Sequence, residues 1–106
     1  MSAVPSPSFM PKGVLVRHNP GAAPSVDKDH DPIYLRSDLG DELVWSCDHA
    51  GKSFRIFFVE NSPFQNWAFD QQNNRSGPIK QGATGEYKYW IAIDGKVTDP
   101  KIIIQP

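Results

Sequence analysis

The sequence predicts an all-β chain, a Greek-key β-sandwich of about seven short strands. Three observations carry that expectation. Apolar residues alternate with polar ones in segments 42–47, 53–59 and 86–93, as they do in strands with one buried face. Clusters of Gly, Pro, Asn and Asp separate these segments. No helical period extends beyond a single turn, which leaves layered sheets as the way to bury a core.

The first elements are short. Residues 1–12 are rich in Pro and Ser and read as a flexible arm, leaving residues 13–106 as the domain. Gly13 to Arg17 is β-prone, and the loop that follows holds His18, Pro20, Gly21 and Pro24, which no helix tolerates. Ile33 to Arg36 forms a second strand after Pro32. Glu42 to Cys47 places Leu43, Trp45 and Cys47 on one face, with Val44 and Ser46 on the other.

A polar break, Asp48 to Lys52, leads to Ser53–Val59, where Phe54, Ile56 and Phe58 share a face. This strand should pair with the preceding one as a hairpin or face it across the sandwich. Glu60 to Gly85 reads as a long ordered loop, with a helical turn at Phe64 to Phe69 and one short strand. From Glu86 the alternation returns through Tyr87, Tyr89, Ile91 and Ile93, and Asp94-Gly95 is a turn dipeptide. Lys101 to Gln105, with Ile102, Ile103 and Ile104, reads as a last strand buried on both sides.

At 106 residues, 39% hydrophobic and 22% charged, the chain has the balance of one globular domain. Its formal charge of −1, from 11 basic and 12 acidic side chains with no basic run, argues against nucleic acid as a partner. A lone cysteine, Cys47, excludes an internal disulfide framework and is compatible with a reducing compartment. The first 21 residues lack the apolar core of a signal peptide, and no later apolar run is long enough to span a bilayer. A cytoplasmic location without a membrane partner is expected.

Gly40-Asp41-Glu42-Leu43-Val44-Trp45, Gly85-Glu86-Tyr87-Lys88-Tyr89-Trp90 and the closing 101–105 strand occur in an order that resembles the cupredoxin-like domains, the blue-copper family of plastocyanin and azurin. The resemblance runs over roughly residues 13 to 105, and each motif alone is weak. It implies a β-sandwich of that family. The copper-binding members carry Cys, His and usually Met after the penultimate strand, a soft set that selects copper. Here the stretch Trp90 to Val97 contains none of them, and the upstream histidine position falls near Ser53. The resemblance therefore implies the fold without copper and without any other cofactor, and Ser62-Pro63-Phe64 and Asp99-Pro100 resemble features of the metal-free members.

Cys47-Asp48-His49 is the most tempting chemical cluster, because a histidine can activate a thiol. A core position for Cys47 beside Leu43 and Trp45 is the simpler reading. His18, His30 and His49 all fall in loops and could converge with Cys47 on copper or zinc, although their spacing has no metal signature. Asp27, Asp29, Asp31 and Asp38 imitate a calcium loop, but Pro32 stands where that loop needs glycine. Gly77 to Thr84 has the glycine spacing of a phosphate loop with Ala83 in place of its lysine. Asn74-Arg75-Ser76 matches a glycosylation acceptor, idle in a cytoplasmic protein.

Phe64, Trp67, Phe69 and Trp90 are the remaining candidates, since aromatic side chains on a loop or outer sheet face can anchor a partner. Phe64 and Trp67 could equally close the end of the core. The expectation is a non-enzymatic binding or assembly module that meets another protein or a second copy of itself, through a sheet edge or the aromatic loop. The alternative is a copper- or zinc-binding protein using the loop histidines.

Overall fold

The computed structural model describes residues 11–105, so nearly all of the arm at 1–12 lies outside the described residues. Lys12, assigned to that arm, opens the first strand. The strands are β1 (Lys12–Val16), β2 (Ile33–Arg36), β3 (Leu43–Cys47), β4 (Arg55–Phe58), β5 (Ala68–Asp70), β6 (Gly85–Ile93), β7 (Lys96–Thr98) and β8 (Lys101–Gln105). Two short 3-10 turns, Lys28–His30 and Ser37–Leu39, flank β2, and no α-helix forms among the described residues.

The strands make two open sheets. The smaller pairs β1 with β3 in parallel, and the larger has the order β2-β8-β6-β4-β5 with β7 also on β6. β2 runs parallel to β8, whereas β6 is antiparallel to β8, β4 and β7, so the larger sheet is mixed. β3 and β4 therefore do not form a hairpin. They lie in different sheets, and their apolar faces meet in one core.

Alternation decides which face enters that core. Val14, Val16, Leu43 and Trp45 come from the smaller sheet, while Ile33, Leu35, Ile56, Phe58, Phe69, Tyr89, Ile91, Ile93, Ile102 and Ile104 come from the larger. Each such aliphatic or phenyl side chain contributes about 1.5–3 kcal/mol on full burial. Trp45 crosses between the sheets: its ring lies 5.0 Å from Phe69 and 5.8 Å from Tyr89, and its indole N–H donates to the Tyr89 hydroxyl at 3.3 Å. Burial pushes the Tyr89 phenol well above its ordinary range, so it stays a neutral hydrogen-bonding group.

The last strand is not buried on both sides. Ile102 and Ile104 are buried but Ile103 is only half-covered, because it points to the outer face of the larger sheet. The helical turn expected at 64–69 is also absent. Phe64 instead bridges Ile79, the Lys80 N–H donates to the Pro63 carbonyl at 2.7 Å, and the Trp67 carbonyl accepts from Phe58 at 2.8 Å. These extended pairings outcompete a local helix, and Ser62 fixes the bend: its hydroxyl accepts from Phe64 N–H at 3.0 Å and donates to the Asn66 carbonyl at 2.8 Å.

The loop 74–76 seals the second edge of β3. Trp45 N–H donates to the Asn74 carbonyl at 2.9 Å, the Asn74 side-chain amide donates back to the Trp45 carbonyl at 2.8 Å, and Leu43 N–H reaches the Ser76 hydroxyl at 2.8 Å. Such covering removes one edge from intermolecular pairing. No helix of the described residues is long and apolar enough to cross a membrane.

Candidate functional site

Two regions bring the sequence candidates together. The first is built by the parallel register of β1 and β3. Val16 lies opposite Cys47, so the residues that follow them, Arg17-His18 and Asp48-His49, emerge side by side. The Asp48 N–H donates to the Val16 carbonyl at 3.0 Å, and the Asp48 carboxylate accepts from the His18 N–H at 2.8 Å. The His18 and His49 rings meet edge to face at 5.2 Å.

The β6–β7 turn adds Asp94, which lies 3.3 Å from His18 Nε2 and 2.6 Å from the Lys52 ammonium. Asp94 and Gly95 both take left-handed backbone conformations, the geometry of a tight hairpin, and this aims the carboxylate at the cluster. Lys52 first, and then His18, hold the Asp94 carboxyl below the usual carboxylate range. Asp48 is also lowered, chiefly by the His18 N–H and further by His49 and Cys47.

The chemical capacity of this cluster is limited. Cys47 is half-buried, and its thiol lies 3.8 Å from Asp48 Oδ1, within reach of a carboxylate whose lowered pKa makes it a weak base. Cys47, His49 and Lys52 also line a small cavity of about 290 Å³ with Trp45 and Phe54. His30 sits in the 3-10 turn before β2, apart from the other two histidines in sequence and fold. Among the described residues, no group of three or more His, Cys, Asp or Glu is arranged to hold a metal ion. Trp90 to Val97 and Ser53 contain no Cys, His or Met, the side chains that select copper.

The second region is the outer face of the larger sheet. Register places Trp90 opposite Phe57, and their rings stack at 6.4 Å with 11° between planes. Exposed apolar side chains in the outward phase are Tyr34, 49% exposed, Val59, 59%, and Val97, 42%, whereas Trp67, 44% exposed, lies opposite the core residue Phe58. The four aromatic candidates thus divide. Phe64 and Phe69 are core, the former packing edge-on against Phe58 and Phe69, whereas Trp67 and Trp90 reach the surface.

A groove of about 640 Å³ opens beside Trp90, lined also by Val59, Glu60, Tyr87 and Asp99. Glu60 and Phe57 are not site candidates in the sequence, and Asp99 enters it only through the Asp99-Pro100 resemblance. A signal for Phe57 exists, because it lies out of phase with Phe54, Ile56 and Phe58 and must therefore face outward. Nothing comparable marks the two carboxylates. No family model, curated protein or solved structure matches the chain.

Proposed function

We propose that the chain is a non-enzymatic protein-binding module, built on a metal-free, cupredoxin-like Greek-key sandwich, that docks its partner on the outer face of the larger sheet around Trp90. The stacked Phe57–Trp90 pair, half-buried on that face, carries the reading. Large aromatic rings lose little rotamer freedom on binding and bring much apolar area, which is why they dominate binding surfaces. Val59 extends the apolar area, and its exposure has no role in the core. Two facing sheets in one core, with the Gly40–Trp45 segment feeding β3 and the Gly85–Trp90 segment within β6, support the fold part of the proposal.

The test is capture from native host extract by the full chain and by the variants Trp90→Ala and Trp67→Ala, with folding checked by circular dichroism. A partner retained in fixed stoichiometry by the wild type and lost with Trp90→Ala is the expected result. Identical retention by the folded Trp90→Ala variant would sink the proposal. A second copy of the chain as the partner would show as a dimer in native mass spectra.

The approach of the His18 and His49 rings favours copper or zinc binding as a second reading. A stoichiometric metal adduct in the native mass spectrum that disappears in His49→Ala would establish it in place of the first.

A further inference from the structure

We propose that the partner enters as a short, extended, cationic peptide segment, seated in the groove between β6 and the Val59–Asn61 segment with a basic side chain over Trp90. This deepens the protein-binding reading and rests on it.

The backbone supplies the first reason. β6 has nine residues, yet β4 pairs only with Tyr89–Ala92, while β8 pairs with Gly85–Lys88 along the opposite edge. The half of β6 that follows Thr84 is therefore laddered on one side only, and its other side faces the groove where β4 has ended at Phe58. A half-paired strand offers main-chain donors and acceptors to an added extended segment, the mode in which backbone hydrogen bonds supply affinity and side-chain subsites supply selectivity. A groove of about 640 Å³ is large enough for a few residues of such a segment.

Charge supplies the second reason. Glu60, Glu86 and Asp99 line the groove against a single ammonium, Lys88. Lys101, next to it, is bonded to Glu86 at 3.0 Å, and its N–H donates to the Asp31 carboxylate at 3.0 Å. Its ammonium pKa is raised by Glu86 first, with Asp31 and Asp99 adding through their charge. The corner thus gathers four carboxylates around two ammoniums, on a chain whose whole formal charge is only −1. The other eight acidic and nine basic side chains sum to +1, so the chain's formal negative charge falls at this corner, where the indole is presented. A cation over the face of a tryptophan gains electrostatically from the ring, and nearby carboxylates strengthen the attraction and speed encounter.

The test is a titration of the isotope-labelled full chain, followed by amide and indole resonances, with three capped octapeptides: alternating Lys–Ala, Ser–Ala and Glu–Ala. Saturable binding of Lys–Ala is expected, with shifts confined to 59–61, 84–88 and the Trp90 indole. The dissociation constant should weaken roughly tenfold in Glu60→Gln/Asp99→Asn and in Trp90→Ala, and stay unchanged in Leu39→Ala, an exposed position outside the groove. All the substituted side chains are at least partly exposed, so each variant can be checked for an unaltered spectrum before titration. Equal binding of Ser–Ala, non-saturating shifts scattered over the surface, or no response to Lys–Ala at millimolar concentration would each overturn the inference. Failure here with partner capture still dependent on Trp90 leaves the binding module standing without its cationic ligand. Capture indifferent to Trp90 removes both.

Discussion

Ser62 holds the long loop to the core, and its removal gives the sharpest test of how that loop is built. The side chain is fully buried. Its hydroxyl accepts from Phe64 N–H at 3.0 Å and donates to the Asn66 carbonyl at 2.8 Å. Ser62→Ala deletes one atom and leaves little void, but it orphans two backbone groups. A buried polar group without a partner costs about 1–3 kcal/mol, and some relaxation is expected in a loop, so the combined loss should be about 2–4 kcal/mol. A domain of this length shifts its melting temperature by about 4–8 °C per kcal/mol, which predicts a fall of roughly 8–32 °C. Urea unfolding followed by tryptophan emission measures the loss, with an unchanged slope showing that only stability has moved. A change below about 0.5 kcal/mol would refute the reasoning, because the two backbone groups would then have found other partners.

The other predictions draw on separate elements. Ile102→Ala should cost about 2–5 kcal/mol in the same urea assay, whereas Ile103→Thr, on the outer face, should cost under about 1 kcal/mol. Equal losses would contradict the alternation assigned to β8. Gly95→Ala forces a side chain into a left-handed conformation at φ 77°, so the β6–β7 hairpin should lose about 1 kcal/mol; a neutral result would mean that the turn relaxes. Asp48, Asp27 and Asp94 all have carboxyl pKa values lowered in the fold, by the His18 N–H, Arg17 and Lys52 respectively. Their contribution is fully present above the ordinary carboxylate pKa of about 4 and is lost as pH falls through the lowered folded values. The urea midpoint should therefore drop on acidification below that pH, and the drop should be smaller in Asp48→Asn, which keeps an acceptor for the His18 N–H without titrating. A drop of the same size in that variant would remove Asp48 from the account.

Local alternation was enough to read several elements. β2 and β8 have the bounds expected from Pro32, Pro100 and the apolar runs, and the inward faces of β3, β4 and β6 follow the phase of their sequences. Asp94-Gly95 is the turn its composition demands. Partnership between distant strands was not legible, because parallel pairing of β1 with β3 or β2 with β8 is decided by the whole core and leaves no mark on either segment. The helical turn at 64–69 failed for the same reason: spaced aromatics suit a helix or an extended loop equally, and Ser62, Ile79 and Phe58 decide in favour of the latter. His18 and His49 are adjacent only through the β1–β3 register, which brings together residues 31 positions apart.

The two ends of the chemistry on this molecule differ in what they leave unsatisfied. At the loop cluster, Asp94 is held by Lys52 and His18, Asp48 by the His18 N–H, and Asp27 by Arg17. Each carboxylate there already faces a basic side chain or a backbone donor, so an incoming cation must break an existing contact before it gains one. The groove beside Trp90 has the opposite character. Its indole is stacked on Phe57 from one side and leaves other surface to solvent, the Gly85–Lys88 half of its strand is laddered on one edge, and its carboxylates outnumber its ammoniums. Apolar surface, main-chain polarity and uncompensated charge coincide there, and each gains free energy when a complementary segment replaces water. Carboxylates already paired within the fold stabilise that fold; a surface unsatisfied in three respects at one place is where binding has the most to gain.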